Sequence, residues 1–410
     1  MEDDVMLPSE FYSKYETTRS QYETRAEDIA EVSLPYLIRT SGASGSTQMG
    51  ATHNQSFNGM LVNNLKAKIG MAILPPRTSS FRFAPDTKAL LELTGGSVEM
   101  NAAIQQELSF NQDRVNAELE IQQIRSSVFD FAAQLIAVGP VILEKVEKKG
   151  IVIHTLKNIT AKLNSRGEPD AMCFMEELTN LPEGITVEEE KEIYELYTMA
   201  AYDTESDKWV VTQDIGGELV GEELIYETNK LPYKYLGWTW MPGDDYHRPF
   251  AEDYYADMLQ IDRLGALNTQ GAVVAAKVLL FVNQRGGRTR KKDVAESVNG
   301  DIVDGDAADV TPLQLQKNYD FQVSNEREAT IKRELQKAFL DTGSVTRDAE
   351  RVTAAEIEIM TRQLESSTLA GIYSKMSLQF SKWIVEMVMD ELGIKFESIE
   401  VDVLTGLDAL

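Results

Sequence analysis

The feature that most constrains this chain is a run at residues 353–392 whose apolar positions keep to one helical face. Thr353-Ala354-Ala355-Glu356 has the form of a capping box, in which the threonine hydroxyl accepts an orphan first-turn N–H and the glutamate reaches back to the cap. Behind it, Ile357, Met360, Leu364, Leu369, Ile372, Met376, Phe380, Trp383 and Met387 recur at steps of three to five residues, the spacing of an amphipathic helix. Gly393 supplies the stop. Such a helix spans roughly 60 Å and requires a large partner surface. Its cap contributes about 1 kcal/mol, whereas each buried Leu, Ile, Phe or Met is worth roughly 1.5 to 3 kcal/mol, so packing fixes it. The segment leading into it, Asp341-Thr342-Gly343-Ser344-Val345-Thr346-Arg347-Asp348, is small and polar and carries a glycine.

Upstream, residues 9–38 read as a helix that Pro35 brings to an end, because proline disfavours helix in the residue before it. Residues 40–55, rich in Ser, Gly and Thr, read as an exposed loop. A second helix, 57–73, carries Leu61, Leu65 and Ile69 at four-residue steps and stops at Pro75-Pro76; Ser80-Phe81-Arg82-Phe83 then alternates as a strand does. Over 98–138, Ile104, Leu108, Val115, Leu119, Ile124, Val128 and Phe131 predict either one very long helix or two in line.

After Gly139-Pro140 the pattern turns to strands. Residues 141–146 and 151–156 form a hairpin about Lys148-Lys149-Gly150, and further strands are predicted at 172–177, 193–202 and 208–213. Helices followed by an antiparallel sheet are an α+β order. The aromatic stretch 231–248, with Tyr233, Tyr235, Trp238, Trp240 and Tyr246, is either a base-stacking platform or a junction between helical and sheet layers. Residues 250–277 read as a helix whose second half is small: Gly265, Ala266, Gly271, Ala272, Ala275 and Ala276. A buried strand at 278–282, short strands near 299–305 and 310–315, and a helix at 323–340 with a Glu328/Lys332 pair follow. Residues 401–410 read as the start of another helix.

A chain of 410 residues suffices for two or three domains or one elongated subunit. With 66 acidic against 40 basic residues its net charge is −26, which argues against general affinity for nucleic acid or anionic membranes and leaves DNA inside a channel open. The one cysteine, Cys173, excludes an intrachain disulfide framework, points to assembly in a reducing compartment, and reads as a small core hydrophobe. Neither a membrane span nor a basic signal peptide is apparent, Met1-Glu2-Asp3-Asp4 being acidic; a soluble intracellular product is expected. The chain has no P-loop, dinucleotide fingerprint, nucleophile elbow or zinc-ligand spacing. His53, His154 and His247 are scattered, so no cofactor, metal or catalytic site is predicted. Glu188-Glu189-Glu190 is either a cation ligand or, as charge runs usually are, a solvated face. Arg285, Arg288, Arg290, Lys291 and Lys292 form a concentrated basic run, which either contacts phosphates or an acidic partner or is a solvated loop. Lys332, Arg333 and Lys337 pose the same choice on a helix.

Several stretches carry a resemblance. Leu34-Pro35-Tyr36-Leu37, the segment from Asn63-Asn64-Leu65 to Leu74-Pro75-Pro76 with Phe81-Arg82, and Asp245-Tyr246-His247-Arg248-Pro249-Phe250 come first. Ala276-Lys277-Val278-Leu279-Leu280-Phe281-Val282-Asn283, Asn299-Gly300-Asp301-Ile302-Val303, Asp320-Phe321-Gln322-Val323 and Arg351-Val352-Thr353-Ala354-Ala355-Glu356 follow. In that order they resemble the portal, or head-to-tail connector, proteins of short-tailed, podovirus-type bacteriophages, from about residue 9 to residue 410.

The resemblance implies an α+β portal fold and a dodecameric ring at one capsid vertex of the virion, assembled in the host cytoplasm. Double-stranded DNA passes through it during packaging and ejection; the large terminase, then a tail adaptor, dock on it; major capsid and scaffolding proteins surround it. It implies neither enzymatic activity nor contact with a membrane. The implied parts are a wing (1–249), stem helices (250–276 and 323–340), a clip (277–322), a tunnel loop (341–352), the long helix (353–392) and a return segment (393–410), with the family's crown absent or trimmed. On that layout Thr342, Ser344, Thr346 and Arg347 of the tunnel loop, with Lys332, Arg333 and Lys337 of the stem, face DNA. Arg285, Arg288, Arg290, Lys291 and Lys292 become clip docking residues. The alternatives are a tail adaptor or nozzle ring protein, and, from another class, a metal-dependent nuclease using the acidic clusters.

Overall fold

In a computed structural model of the chain, the main run of strands, Val141 to Leu236, lies between an N-terminal and a C-terminal set of helices. The structure describes residues 6–38, 54–76, 79–85, 95, 97–181, 193–276, 279–282, 290–298, 302, 304, 310–313, 318–341, 362, 370–394 and 399–403. The chain divides into two compact units. One comprises Met1–Thr52, Ser56–Tyr255 and Gln336–Leu410; the other comprises His53–Gln55 and Ala256–Leu335.

In the first unit, α1 (Pro8–Glu31) opens on a proline at its first position, where the missing N–H costs nothing. Its buried side lies on an antiparallel sheet of β4 (Ile159–Leu163), β5 (Pro169–Leu178), β6 (Tyr194–Asp203), β7 (Lys208–Ile215) and β8 (Glu218–Leu219), adjacent in that order. A further strand, β9 (Leu224–Glu227), also pairs with β7. Phe11 and Tyr12 pack with Ala171, Cys173 and Met199. Cys173 is thus a core residue, and burial pushes its thiol up. Polar contacts tie the helix down: Ser9 N–H donates to Asp214 Oδ2 at 2.6 Å, and the buried Arg19 donates from Nη1 to the Ile159 carbonyl at 3.1 Å.

The second helix, α2 (Phe57–Ile73), has the predicted bounds and buries Leu61, Leu65 and Ile69. Residues 98–138 form two helices, α3 (Val98–Ile121) and α4 (Ile124–Ala137), broken where Gln123 takes a left-handed φ of 54°. The hairpin β2 (Val141–Val146) and β3 (Gly150–His154) turns through Lys148 and Gly150, both at positive φ, and β10 (Tyr233–Leu236) pairs with β2 to complete a three-stranded sheet. Tyr235, Trp238 and Tyr246 are buried. The aromatic stretch is therefore a layer junction; these three rings are not available to stack on bases.

Of the long C-terminal helix the described part is α8 (Ala370–Glu391); the capping box at Thr353 and the apolar positions Ile357 to Leu369 lie outside the described residues. Met376, Phe380, Trp383 and Met387 are buried as expected, joined by Ile384, Val385 and Val388. Phe380 meets Phe131 of α4 with centroids 4.9 Å apart, and the Trp383 indole N–H donates to the Leu231 carbonyl at 2.9 Å. At the far end Glu391 accepts from Lys145 Nζ at 2.5 Å and Gln122 Nε2 at 2.8 Å. Gly393 ends the helix at φ 66°, its N–H donating to Asp390 and that of Ile394 to Met389, the left-handed stop that glycine permits.

Residues 399–403 are strand β13 (Ile399–Val403), antiparallel to β1 (Phe81–Pro85) with Phe81 opposite Val403; the reading of 401–410 as helix fails at 401–403, and 404–410 lie outside the described residues. A distant partner strand, invisible to local periodicity, overrides the helical pattern.

The second unit holds most of α5 (Tyr255–Ala276) and of α7 (Asn318–Ala338); the 3₁₀ turn at Phe250–Tyr254 that precedes α5 and the end of α7 from Gln336 belong to the first. Between them in sequence stand β11 (Leu279–Val282) and β12 (Val310–Leu313), paired with Leu279 opposite Leu313, and the short α6 (Lys291–Glu296).

Candidate functional site

All the sequence-predicted contact residues fall between 285 and 347, so the candidate site is built on α5, α7 and the chain leading into and out of them. Asn268 of α5 joins the two helices: it donates to Glu328 Oε2 at 2.7 Å and accepts from Ser324 Oγ at 2.9 Å. Glu328 also pairs with Lys332 at 2.6 Å. Lys332 is therefore largely neutralised inside the helix pair. Arg333 and Lys337, four residues apart, share a face of α7, and both are exposed. The Arg333 guanidinium folds back on its own helix, donating to the Ala329 carbonyl at 3.2 Å and Thr330 Oγ1 at 3.3 Å. Along α7 the acids Asp320, Glu326, Glu328 and Glu334 balance Arg327, Lys332, Arg333 and Lys337.

In the basic run, Arg290 precedes α6 and is exposed, and Lys292 is exposed with Glu296 at 4.0 Å. Arg285, Arg288, the Lys291 side chain, and Thr342, Ser344, Thr346 and Arg347 lie outside the described residues, as do His53 and Glu188-Glu189-Glu190.

The first unit contains a cluster, not foreseen from the sequence, where the chain returns from α7. Leu340 takes φ 55°, which costs a non-glycine residue about 1 kcal/mol. The turn is closed by the Asp341 N–H donating to the Gln336 carbonyl at 2.7 Å and the Leu340 N–H to Lys337 at 3.2 Å. Two residues of α2 hold it: Lys68 Nζ donates to the Leu340 carbonyl, and Asn64 Nδ2 donates to Asp341 Oδ1 at 3.1 Å. Burial lowers the Lys68 pKa and Asp341 opposes that shift. Beside them the Phe339 ring meets Phe250 at 5.0 Å and Tyr254 at 5.7 Å. Residues 250–254, just before α5, and 336–341, the last turn of α7 and the residues after it, are thus bound in one aromatic and polar cluster. The signal that could have found it is Lys68 itself, a charge between Leu65 and Ile69 on an apolar helix, which burial obliges to find a partner.

Elsewhere in the first unit a cleft of about 770 Å³ is lined by Arg166, Lys234 and Lys375 together with Glu168, Asp170 and Asp207, leaving no net charge to draw a ligand of one sign. No helix among the described residues is long and apolar enough to cross a membrane.

The family described as bacteriophage head to tail connecting protein matches residues 9–395. The portal protein of Escherichia phage T7 is 27% identical over 428 residues, covering 97% of this chain and 78% of that protein. The portal protein of Enterobacteria phage T3 is 26% identical over 421 residues, with 97% and 78% covered, and that of Enterobacteria phage SP6 is 26% identical over 415 residues, with 97% and 79% covered. Among solved structures, a chain from the neck of a native GTA particle computed with C12 symmetry aligns over 84% of this chain and 81% of that one, at 12% identity and a TM-score of 0.41.

Proposed function

Because the chain belongs to the bacteriophage head to tail connecting protein family, we propose that it forms a portal ring at one capsid vertex, through which double-stranded DNA is packaged and later ejected. The observation that carries this reading is the family match over residues 9–395, together with curated portal proteins that cover 97% of the chain. Those relatives are portal proteins, which favours a portal over a tail adaptor. The virion head-tail junction is the corresponding location, and a non-enzymatic, structural role accords with the relatives.

In this reading residues 1–249 are the wing, 250–276 and 323–340 the stem, 277–322 the clip and 341–352 the tunnel loop. Ala256–Leu335 forms a compact unit together with His53–Gln55, with α5 at one end of the longer segment and α7 at the other, which supports a stem-clip-stem order. The large terminase and a tail adaptor dock at the clip through Arg285, Arg288, Arg290, Lys291 and Lys292. Thr342, Ser344, Thr346 and Arg347, with Arg333 and Lys337, line the channel. Lys332, already paired with Glu328, contributes least.

A conduit must not grip. Six to ten phosphate contacts make DNA binding tight and steeply salt dependent, whereas the balanced charge of α7 keeps such contacts few. The overall charge of −26 does not prevent ring assembly, because charges more than about 8 Å apart are largely screened at physiological salt. Packaging tests the reading. Procapsids assembled with this chain, cognate terminase and ATP should protect linear DNA from nuclease; assembled procapsids that protect none would overturn the conduit role.

A further inference from the structure

Two carboxylates and an imidazole meet between the three-stranded sheet and the larger sheet of the first unit. Glu144 on β2 stands opposite Val152 while His154 on β3 stands opposite Ile142, which makes them diagonal neighbours on one face, within reach of long side chains. Tyr233 on β10 is directly opposite Glu144. From the larger sheet, β5 supplies Phe174, whose ring stacks on His154 at 3.9 Å and 22° and lies 5.2 Å from Tyr233. Side chains two apart on a strand point the same way, so Glu176 follows Phe174 into the same space.

Glu144, His154 and Glu176 each offer a ligand atom, all within 4.8 Å of one another, and His154 Nε2 is 3.0 Å from Glu144 Oε2. His154 is only 6% exposed, and both glutamates are partly buried. Among the described residues no lysine or arginine pairs with either carboxylate; the imidazole is their charged neighbour only if protonated. Two carboxylates drawn out of water side by side without a cation are costly.

We propose that Glu144, His154 and Glu176 bind one divalent transition-metal ion, of the zinc or manganese class, which clasps the three-stranded sheet to the larger one. One imidazole nitrogen and two carboxylate oxygens are a donor set both metals accept. Ligand atoms about 2.1 Å from a tetrahedral zinc stand about 3.4 Å apart, against a largest separation of 4.8 Å in the cluster. Metal binding requires Nε2 free of its proton, which places the imidazole proton on Nδ1. The partly exposed carboxylates leave water to complete the coordination. The clasp is independent of the connecting role.

The test uses the full chain, stripped with EDTA, dialysed, and returned to zinc or manganese chloride in excess magnesium to saturate scattered surface carboxylates. Bound ions per chain are counted by elemental mass spectrometry and the melting temperature is followed. One ion per chain and a raised melting temperature are expected. Glu144→Gln and Glu176→Gln, which keep side-chain shape and whose metal-free melting shows that they fold, should each lose the ion. No ion retained by the wild type, or the same stoichiometry in both variants, would overturn the proposal and leave a proton-sharing network.

Discussion

Phe250 and Phe339 meet edge to face, with ring centroids 5.0 Å apart at 67°, and so join the chain before α5 to the chain after α7. Both rings are buried. Truncating a buried phenylalanine costs about 3–5 kcal/mol, so Phe339→Ala should lower the urea midpoint strongly and Phe339→Leu much less. Limited proteolysis of the native protein should also accelerate in Phe339→Ala. Equal midpoints in wild type and Phe339→Ala would show that this contact does not anchor the passage.

His247 gives the first unit an acid sensitivity. Burial, then the Lys375 charge, depress its pKa from 6.5 to about 4, against a weaker opposing pull from Asp244, and its Nδ1 lies 3.3 Å from the Tyr235 hydroxyl. The folded state therefore keeps the imidazole neutral down to about pH 4, whereas the unfolded chain protonates it near 6.5. The unfolded state binds more protons across that window, so stability is full above it and falls as pH drops through it. At about 1.4 kcal/mol per pKa unit the loss is on the order of 3 kcal/mol. Urea unfolding near pH 7 and near pH 4 should show a smaller drop in His247→Gln than in wild type; identical drops would exclude His247 as the source. A substituent at Gly237 would stand 2.1 Å from the His247 ring, so Gly237→Ala should displace the imidazole and destabilise the protein at every pH.

The docking role of the basic run is tested by replacing Arg288, Arg290 and Lys291 together with alanine. Rings should still form, since the exposed Arg290 supports no core, while binding of terminase or tail adaptor weakens and loses part of its salt dependence. Unchanged docking by intact rings would move the docking surface elsewhere.

Local signals and non-local partners divide what was readable in the chain. The bounds of α2 were legible because Leu61, Leu65 and Ile69 repeat at helical spacing and Pro75-Pro76 follow; Gly393 announced its left-handed stop. The break at Gln123 was not, since neither glycine nor proline marks the residue that takes the left-handed φ. Strand β13 and the pairing of β10 with β2 depend on partners far away in sequence, which periodicity cannot supply. For the candidate site, the Glu328/Lys332 pair was legible as an i,i+4 spacing, but the Lys68, Asn64 and Leu340 cluster assembles from α2 and the end of α7. His154 looked scattered for the same reason: Glu144 and Glu176 reach it from different strands.

If the chain works as a portal, it must close into a ring. Negative-stain electron microscopy of the purified protein, with class averages viewed down the particle axis, tests it most directly. Closed rings of about twelve subunits, the number implied by the family resemblance, are expected, with a central hole wide enough for double-stranded DNA, whose charge density the channel must pass without gripping. Particles that are monomeric, or rings with no open centre, would contradict the portal reading.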